Sequence, residues 1–159
     1  MKKLLLPIIS LFAITMSSCS LGSKKVTIDD IEITLPSGFV KADLVNTYYY
    51  AQTSEVGFAV VRIESSFGYT ATSYLEYAFN NLKVESTIES YESDNLNFKY
   101  AYYTNTAQGE TYQYFDCVFD HNDYLYDFEF YCKEKKANSY KDKFLDWAKT
   151  ITFVQEESK

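Results

Sequence analysis

The most constraining feature of the sequence is a pair of segments, residues 110–120 and 124–133, in which apolar and charged residues alternate. A period of two is that of a β-strand, whose successive side chains point to opposite faces of the sheet. The apolar set comprises Phe115, Cys117, Phe119, Phe128, Phe130 and Cys132, and the acidic set comprises Asp116, Asp120, Asp127 and Glu129. The pattern predicts an antiparallel hairpin with one face packed on a core and a charged face in water.

Further strands are predicted on both sides of a central helix. The strand segments are 26–28, 31–35, 48–53, 57–65, 86–91 and 96–104. Asp29-Asp30 separates the first two and predicts a two-residue hairpin turn. The order of strands, helix, strands and helix shows no regular βαβ alternation. It therefore predicts an α+β fold with a single antiparallel β-sheet packed by two main helices.

Both helices are predicted from caps and apolar spacing. Ser73 and Glu76 fit a Ser-x-x-Glu capping box at the start of the first helix. Asn138 is the predicted cap of the second helix. Its apolar stripe comprises Tyr140, Phe144, Trp147, Ala148 and Ile151.

The first 19 residues have the pattern of an export signal. Two lysines in residues 1–3 precede an apolar run over residues 4–16, and Ser17-Ser18 leads into Cys19. The segment resembles a bacterial lipoprotein signal, with Met16-Ser17-Ser18-Cys19 as its lipobox and Met where Leu is usual. The resemblance implies cleavage before Cys19 and lipidation of that residue. The apolar run is shorter than the roughly 20 residues of a membrane span, while ordinary secretion stays an alternative.

The expected organisation is a signal peptide over residues 1–18, a lipidated cysteine and tether over 19–25, a domain over 26–154 and a disordered tail over 155–159. After cleavage the chain has 13 basic and 22 acidic residues, a net charge of −9. Arg62 is the only arginine, and this composition argues against nucleic-acid binding. Anionic headgroups repel an acidic body, so we expect the acyl chains to hold the protein at a membrane, outside the cytoplasm in the cell envelope.

The predicted domain resembles the PsbP-like superfamily. The resemblance rests on residues 33–39 after an N-terminal hairpin, the mid-chain helix, the aromatic strands and residues 144–151. It implies an α/β/α sandwich. The superfamily includes extrinsic photosystem subunits and a nuclear-import factor that binds Ran, and neither role carries over to a bacterial lipoprotein. No functional residue is transferred by the resemblance.

The sequence offers no catalytic or metal-binding motif. His121, the only histidine, lies in the predicted turn 120–123, where we expect a solvated side chain. There is no Gly-x-Ser-x-Gly motif to pair with it. The same turn departs from an EF-hand loop at Tyr124 and Leu125. We therefore predict no enzyme activity, no cofactor and no metal; an enzyme using the scattered carboxylates Glu64, Glu76 or Asp94 is an alternative.

Two cysteines remain after Cys19, and export would permit a disulfide between them. Pairing across the predicted turn places Cys117 opposite Phe128, and Cys132 lies four residues further along. At about 3.3 Å per residue the offset is roughly 13 Å, beyond the limit of about 7 Å for a disulfide. The prediction is two buried free thiols.

Tyrosine is abundant, with 16 in the chain. Tyrosine rings suit both sheet packing and half-wet binding surfaces. The possible binding surface comprises Tyr48, Tyr50, Tyr100, Tyr102, Tyr112 and Tyr114. The leading hypothesis is a non-enzymatic binding or accessory module with an envelope protein as partner. The alternative is a small-ligand protein that binds a sugar or peptide on this surface.

Overall fold

The computed structural model describes residues 22–154. The predicted signal peptide, Cys19 and the tail lie outside the described residues. The described helices are α1 (Ala71–Leu82) and α2 (Ala137–Ala148). The strands are β1 (Ser23–Ile28), β2 (Ile31–Pro36), β3 (Val40–Lys41), β4 (Tyr49–Gln52), β5 (Val56–Glu64), β6 (Glu89–Ser93), β7 (Leu96–Ala107), β8 (Glu110–His121), β9 (Tyr124–Lys133) and β10 (Thr152–Phe153).

The strands form two antiparallel sheets. The larger has seven strands in the order β3-β4-β5-β9-β8-β7-β6, and the smaller has the order β1-β2-β10. Helix α1 packs on one face of the large sheet, while α2 and the small sheet pack on the other. The predicted α+β class with an antiparallel sheet and two helices is confirmed. The small sheet is an addition, because the two residues of β10 are too few to show a strand pattern.

The N-terminal hairpin forms as predicted, with Ile28 paired to Ile31 across the Asp29-Asp30 turn. Strand β1 begins at Ser23, three residues before the predicted start at Val26. Residues assigned to the tether therefore belong partly to the strand, because they pair with β2 as far as Pro36.

The β8–β9 hairpin has the predicted register. Cys117 lies opposite Phe128, and Cys132 lies opposite Gln113. Both cysteines are buried and free. The expectation of two separated, buried thiols is confirmed, because the four-residue offset keeps them apart along the same face.

The acidic face of this hairpin differs from the prediction. Asp116 and Asp127 are only 2% and 5% exposed, although the alternation placed them in water. Helix α1 covers this face, and tyrosines supply about half of the buried residues that pack there. Asp120, four residues further along the same strand as Asp116, is exposed as expected.

The two faces of the sheet carry chemically different cores. The face under α2 and the small sheet is built largely from phenylalanine and aliphatic residues, among them Phe58, Phe115 and Phe130. The face under α1 includes Tyr103 and Tyr131. Tyr131 lies so close over Gly57 that any Cβ there would clash with its ring. The glycine is therefore required by the approach of an aromatic ring from the neighbouring strand.

Both predicted helix caps are wrong in detail. Thr70 is the cap of α1: its hydroxyl accepts from the Ser73 amide at 3.2 Å, and the Ser73 hydroxyl accepts from the Thr70 amide at 2.9 Å. Helix α2 follows directly on a 3-10 turn over Glu134–Lys136, so no side chain caps it and Asn138 lies inside the helix. The capping box uses serine in place of Glu, which conceals it from a Ser-x-x-Glu search.

The packing of α2 shows that Phe144, and not Trp147 as its apolar stripe suggested, anchors the helix. Phe144 is fully buried, whereas Trp147 is only partly buried, at the side of the helix against Phe39. Phe144→Ala should lower the free energy of unfolding by about 3–5 kcal/mol, the cost of removing a buried aromatic ring. Trp147→Ala should cost less. Urea unfolding of both variants beside Lys143→Ala measures the difference, and equal losses for the two aromatic residues would contradict this packing.

Candidate functional site

A cleft of about 990 Å³ opens beside the turn of the N-terminal hairpin. Several parts of the chain meet there: the β1–β2 turn, the start of β4 with the end of β5, the β8–β9 turn and the residue after β10. Its lining residues are Thr27, Asp29, Asp30, Glu32, Tyr48, Arg62, His121, Asn122, Tyr124, Tyr126 and Val154. We refer to it as the Arg62 cleft.

Arg62 is clamped between aromatic rings. Its guanidinium carbon lies 4.3 Å from the ring centroid of Tyr48 and 4.5 Å from that of Tyr124. Its third aromatic partner is Tyr126, with which it forms a side-chain hydrogen bond. None of the ion pairs within residues 22–154 includes Arg62. The clamp fixes the orientation of the guanidinium while leaving its charge without a carboxylate partner.

Strand register creates the clamp. Arg62 lies opposite Tyr126 in the β5–β9 pair, and Tyr124 lies opposite Glu64 two residues along. The amide of Tyr48 donates to the carbonyl of Val60 at 2.7 Å, which brings this tyrosine beside β5. Side chains two residues apart on a strand share a face, so the cation meets two rings of the neighbouring strand.

The hairpin turn adds acidic residues to the lining of the cleft. The hydroxyl of Tyr48 donates a hydrogen bond to Asp29, whose backbone has a φ of 53° in the hairpin turn. Burial, followed by this hydrogen bond and the charge of Asp29, raises the pKa of Tyr48 to about 12. Asp30 lies 3.9 Å from the Nε2 atom of His121. The cleft is therefore lined by one fixed cation and by two turn carboxylates.

His121 is in the predicted turn but is not freely solvated. Its ring stacks on Phe153 of β10, with centroids 4.1 Å apart and planes at 17°. The side chain is 23% exposed. Packing against β10 explains the difference from the prediction, because that strand arrives from the far end of the chain and has no signal near the turn.

The predicted tyrosine surface does not form. Tyr50, Tyr112 and Tyr114 are buried under α1. Tyr100 and Tyr102 lie on the other face, where the Tyr102 hydroxyl donates to the Lys141 carbonyl of α2 at 2.8 Å. Of the six, only Tyr48 lines the Arg62 cleft. The six tyrosines separate because side chains alternate between the two faces along each strand. Rings on neighbouring strands lie on the same face only if the pairing register of those strands places them there.

Sequence reasoning missed the residues that do meet. Tyr124 and Tyr126 flank Leu125 on β9, and Arg62 stands alone among the basic residues as the one arginine. The available signal was a lone arginine in a strand segment predicted to pair with other strands of the same sheet. Without the β5–β9 register, nothing in the sequence links Arg62 to Tyr124 or Tyr126.

The scattered carboxylates do not assemble. Glu76 lines a second cleft of about 550 Å³ between α1 and the β6–β7 strands, but Glu64 and Asp94 do not. Within residues 22–154, no three His, Cys, Asp or Glu side chains are grouped as ligands of a metal ion. Over the same residues, neither helix has the length and apolarity needed to cross a membrane.

Three solved structures are similar to this chain over most of its length. CyanoP, a cyanobacterial PsbP from Synechocystis, has a TM-score of 0.65 at 15% identity, covering 92% of this chain and 99% of that protein. The Ran-binding protein Mog1p of Saccharomyces cerevisiae has a TM-score of 0.59 at 10% identity, with 86% and 97% covered. LpqN, involved in cell envelope biogenesis of Mycobacterium tuberculosis, has a TM-score of 0.55 at 9% identity, with 84% and 91% covered.

These likenesses confirm the PsbP-like fold inferred from the sequence. Identities this low establish the fold and no particular activity. No protein-family model and no curated protein sequence matches the chain.

The clamp makes a measurable contribution to stability. Each exposed cation–π contact contributes about 0.5–1 kcal/mol, so Arg62→Ala should lower the free energy of unfolding by about 1–2 kcal/mol. Lys143→Ala is the matched control, because Lys143 lies over the single ring of Tyr140 at 4.9 Å. Urea unfolding should show a smaller loss for the control. A loss at Arg62 no greater than at Lys143 would contradict the two-ring clamp.

Proposed function

We propose that this chain is a lipid-anchored, non-enzymatic binding module of a bacterial cell envelope, and that it takes a segment of a partner protein into the Arg62 cleft. The observation that carries the proposal is the guanidinium of Arg62, held between Tyr48 and Tyr124 without a carboxylate partner. A cation fixed in this way can pair with an incoming carboxylate at little further cost in side-chain entropy.

The two signs in the cleft favour a peptide segment as ligand. Asp29 and Asp30 of the hairpin turn line the same cleft as Arg62. A segment with neighbouring acidic and basic side chains complements both charges, and such complementarity supports specificity and encounter rate. Nucleic acid is a poor fit, because its backbone is uniformly anionic.

A free small ligand is the second candidate. The volume of the cleft, about 990 Å³, lies at the upper end of the range for small-molecule sites. Stacking of a sugar on the tyrosines is less favoured, because Arg62 already lies over the rings of Tyr48 and Tyr124. A zwitterionic small molecule would pair with the same cation and carboxylates as a peptide.

The proposal that the protein is not an enzyme is supported by the positions of the carboxyl groups whose pKa values are raised. Asp127 and Glu129 have raised pKa values, as catalytic acids often do. Both lie beneath α1, and neither lines the Arg62 cleft or the second cleft. An acid that cannot reach a substrate cannot transfer a proton to it.

The membrane anchor rests on Cys19 and its lipobox, which lie outside the described residues. Two or more acyl chains hold a protein on a bilayer where one holds it only marginally. A partner protein in the cell envelope agrees with the similar fold of LpqN, a protein involved in cell envelope biogenesis.

Lipidation should depend on a single side chain. Cells grown with a palmitate analogue should label the wild-type chain, and Cys19→Ala should remove the label because the acylated sulfur is lost. Cys132→Ala keeps the anchor and is the control for loss of a thiol. An unlabelled wild-type chain whose mature N-terminus is not Cys19 would overturn the anchor.

Binding at the cleft can be tested in intact cells. A photo-crosslinking amino acid at Asn122, which lines the Arg62 cleft, should give a discrete protein adduct. The adduct should be lost with Arg62→Ala and weakened with Arg62→Lys, since lysine keeps the charge but not the planar clamp. The same amino acid at Glu92, exposed on the edge strand β6, is the control position.

The outcomes separate the candidates. An Arg62-dependent protein adduct supports the partner segment. An adduct that persists in Arg62→Ala, or that forms equally at Glu92, contradicts a role for the cleft. Release of a small molecule from the purified wild-type protein, without a protein adduct, would favour the small-ligand candidate instead.

A further inference from the structure

Three carboxyl groups lie together beneath α1. Asp116 and Asp127 are buried, and Glu129 is partly buried with one carboxyl oxygen shielded from solvent. Asp116 of β8 pairs directly with Glu129 of β9, and Asp127 lies two residues before Glu129 on the same face. Asp116 is 2% and Asp127 5% exposed. We call Asp116, Asp127 and Glu129 the carboxyl cluster.

The cluster has too few partners for three charges. Tyr74 of α1 donates to Asp127 Oδ2 at 3.1 Å, and Tyr103 of β7 donates to Asp116 Oδ1 at 3.4 Å. The other oxygen of Asp127 and one oxygen of Glu129 are buried without a hydrogen-bond partner. No ion pair of the described residues includes the cluster.

The titratable groups that face the cluster are mostly tyrosines. They come from α1 with Tyr74, β4 with Tyr50, β7 with Tyr103, β8 with Tyr114 and β9 with Tyr131. Lys99 of β7 lies on the same face, two residues from the partner of Asp116, and donates to the Ser90 hydroxyl at 2.6 Å instead. The charged side chains of β5, Arg62 and Glu64, lie opposite Tyr126 and Tyr124 and so face the other way. No lysine or arginine of the described residues offsets the negative charge of the cluster.

Carboxylates in such a place are unstable as anions. A buried charge without a partner costs several kcal/mol, and like charges opposite each other on neighbouring strands add repulsion. Burial raises the pKa of Asp127 to about 7. Burial, and then the charge of Asp127, raises the pKa of Glu129 to about 8. The pKa of Asp116 is raised by burial and by both neighbours.

We propose that α1 is a proton-controlled cover of the sheet: it closes when the carboxyl cluster is neutral and loosens when the cluster ionises. The site of opening follows from the packing. Helix α1 contacts β7 and β8 and supplies Tyr74 to Asp127. Lifting this one helix admits water to the cluster and leaves the seven-stranded ladder intact.

The sign of the effect is set by proton binding. Free carboxyl groups titrate near about 4, below the raised values in the folded protein, so the folded state holds more protons between those limits. The stability supplied by the neutral cluster is fully present below about pH 4, falls as the pH rises, and is lost above about pH 8. Most proteins lose stability as carboxylates are protonated, which is the opposite trend.

The test compares the wild-type full chain with variants in which carboxyl groups of the cluster are replaced by neutral amides, all kept in detergent. The melting temperature of the wild type should fall between about pH 5 and pH 9, and the double variant Asp127→Asn/Glu129→Gln should fall much less. Asp120→Asn, on the same strand but exposed, should keep the wild-type slope. Hydrogen exchange, corrected for intrinsic rates, should show protection lost in α1 before α2 as the pH rises.

Four results would overturn the proposal. They are a wild-type melting temperature that is constant or rises between about pH 5 and pH 9, a double variant whose melting temperature falls as steeply as that of the wild type, an Asp120→Asn variant whose melting temperature falls less steeply, and an equal loss of exchange protection in α1 and α2.

If the double variant does not fold, the infrared band of protonated carboxyl groups decides. At about pH 6 the folded wild type should show it and Asp116→Asn should show less of it. Its absence from the wild type would overturn the proposal.

Discussion

The β8–β9 pair is the constraint on which the rest of the structure depends. It occupies the interior of the seven-stranded sheet, with β5 on one side and β7 on the other. Phe115, Phe128 and Phe130 supply one face to α2, while Val118, Leu125 and Tyr131 supply the other to α1. A pair buried on both faces fixes its own register, because a slip of one residue would exchange the two cores.

The same register determines what each end of the sheet can do. At the turn end, β9 brings Tyr124 and Tyr126 to Arg62 and builds the clamp of the cleft. Nearer the middle, the pairing of Asp116 with Glu129 places two acids side by side under α1. The proposed binding cleft on the surface and the carboxyl cluster beneath α1 thus come from one pairing pattern. The first uses a cation that has no carboxylate, and the second uses carboxylates that have no cation.

The sequence was sufficient for the elements whose pattern is local. The period of two in residues 110–133 predicted the hairpin, its register and the separation of Cys117 from Cys132, all of which are found. The alternation could not show that Asp116 and Asp127 are covered by α1. A charged face is predicted to be in water, because nothing nearby in the sequence indicates a helix that packs over it. The tyrosine surface was wrong for a related reason. The alternation along a strand tells which residues of that strand share a face. Only the pairing between strands tells which tyrosines of different strands lie on the same face of the sheet.

Strand β1 has a geometric consequence for the membrane. If Cys19 carries lipid, only three residues separate it from Ser23, so the strand begins within about 14 Å of the acylated residue. The six residues of β1 then span about 20 Å and end at the turn whose aspartates line the Arg62 cleft. The proposed anchor and the cleft would therefore lie at opposite ends of one strand. In that arrangement the β-ribbon would act as a spacer between the headgroups and the cleft, and the proposed partner would have to lie close to the same membrane.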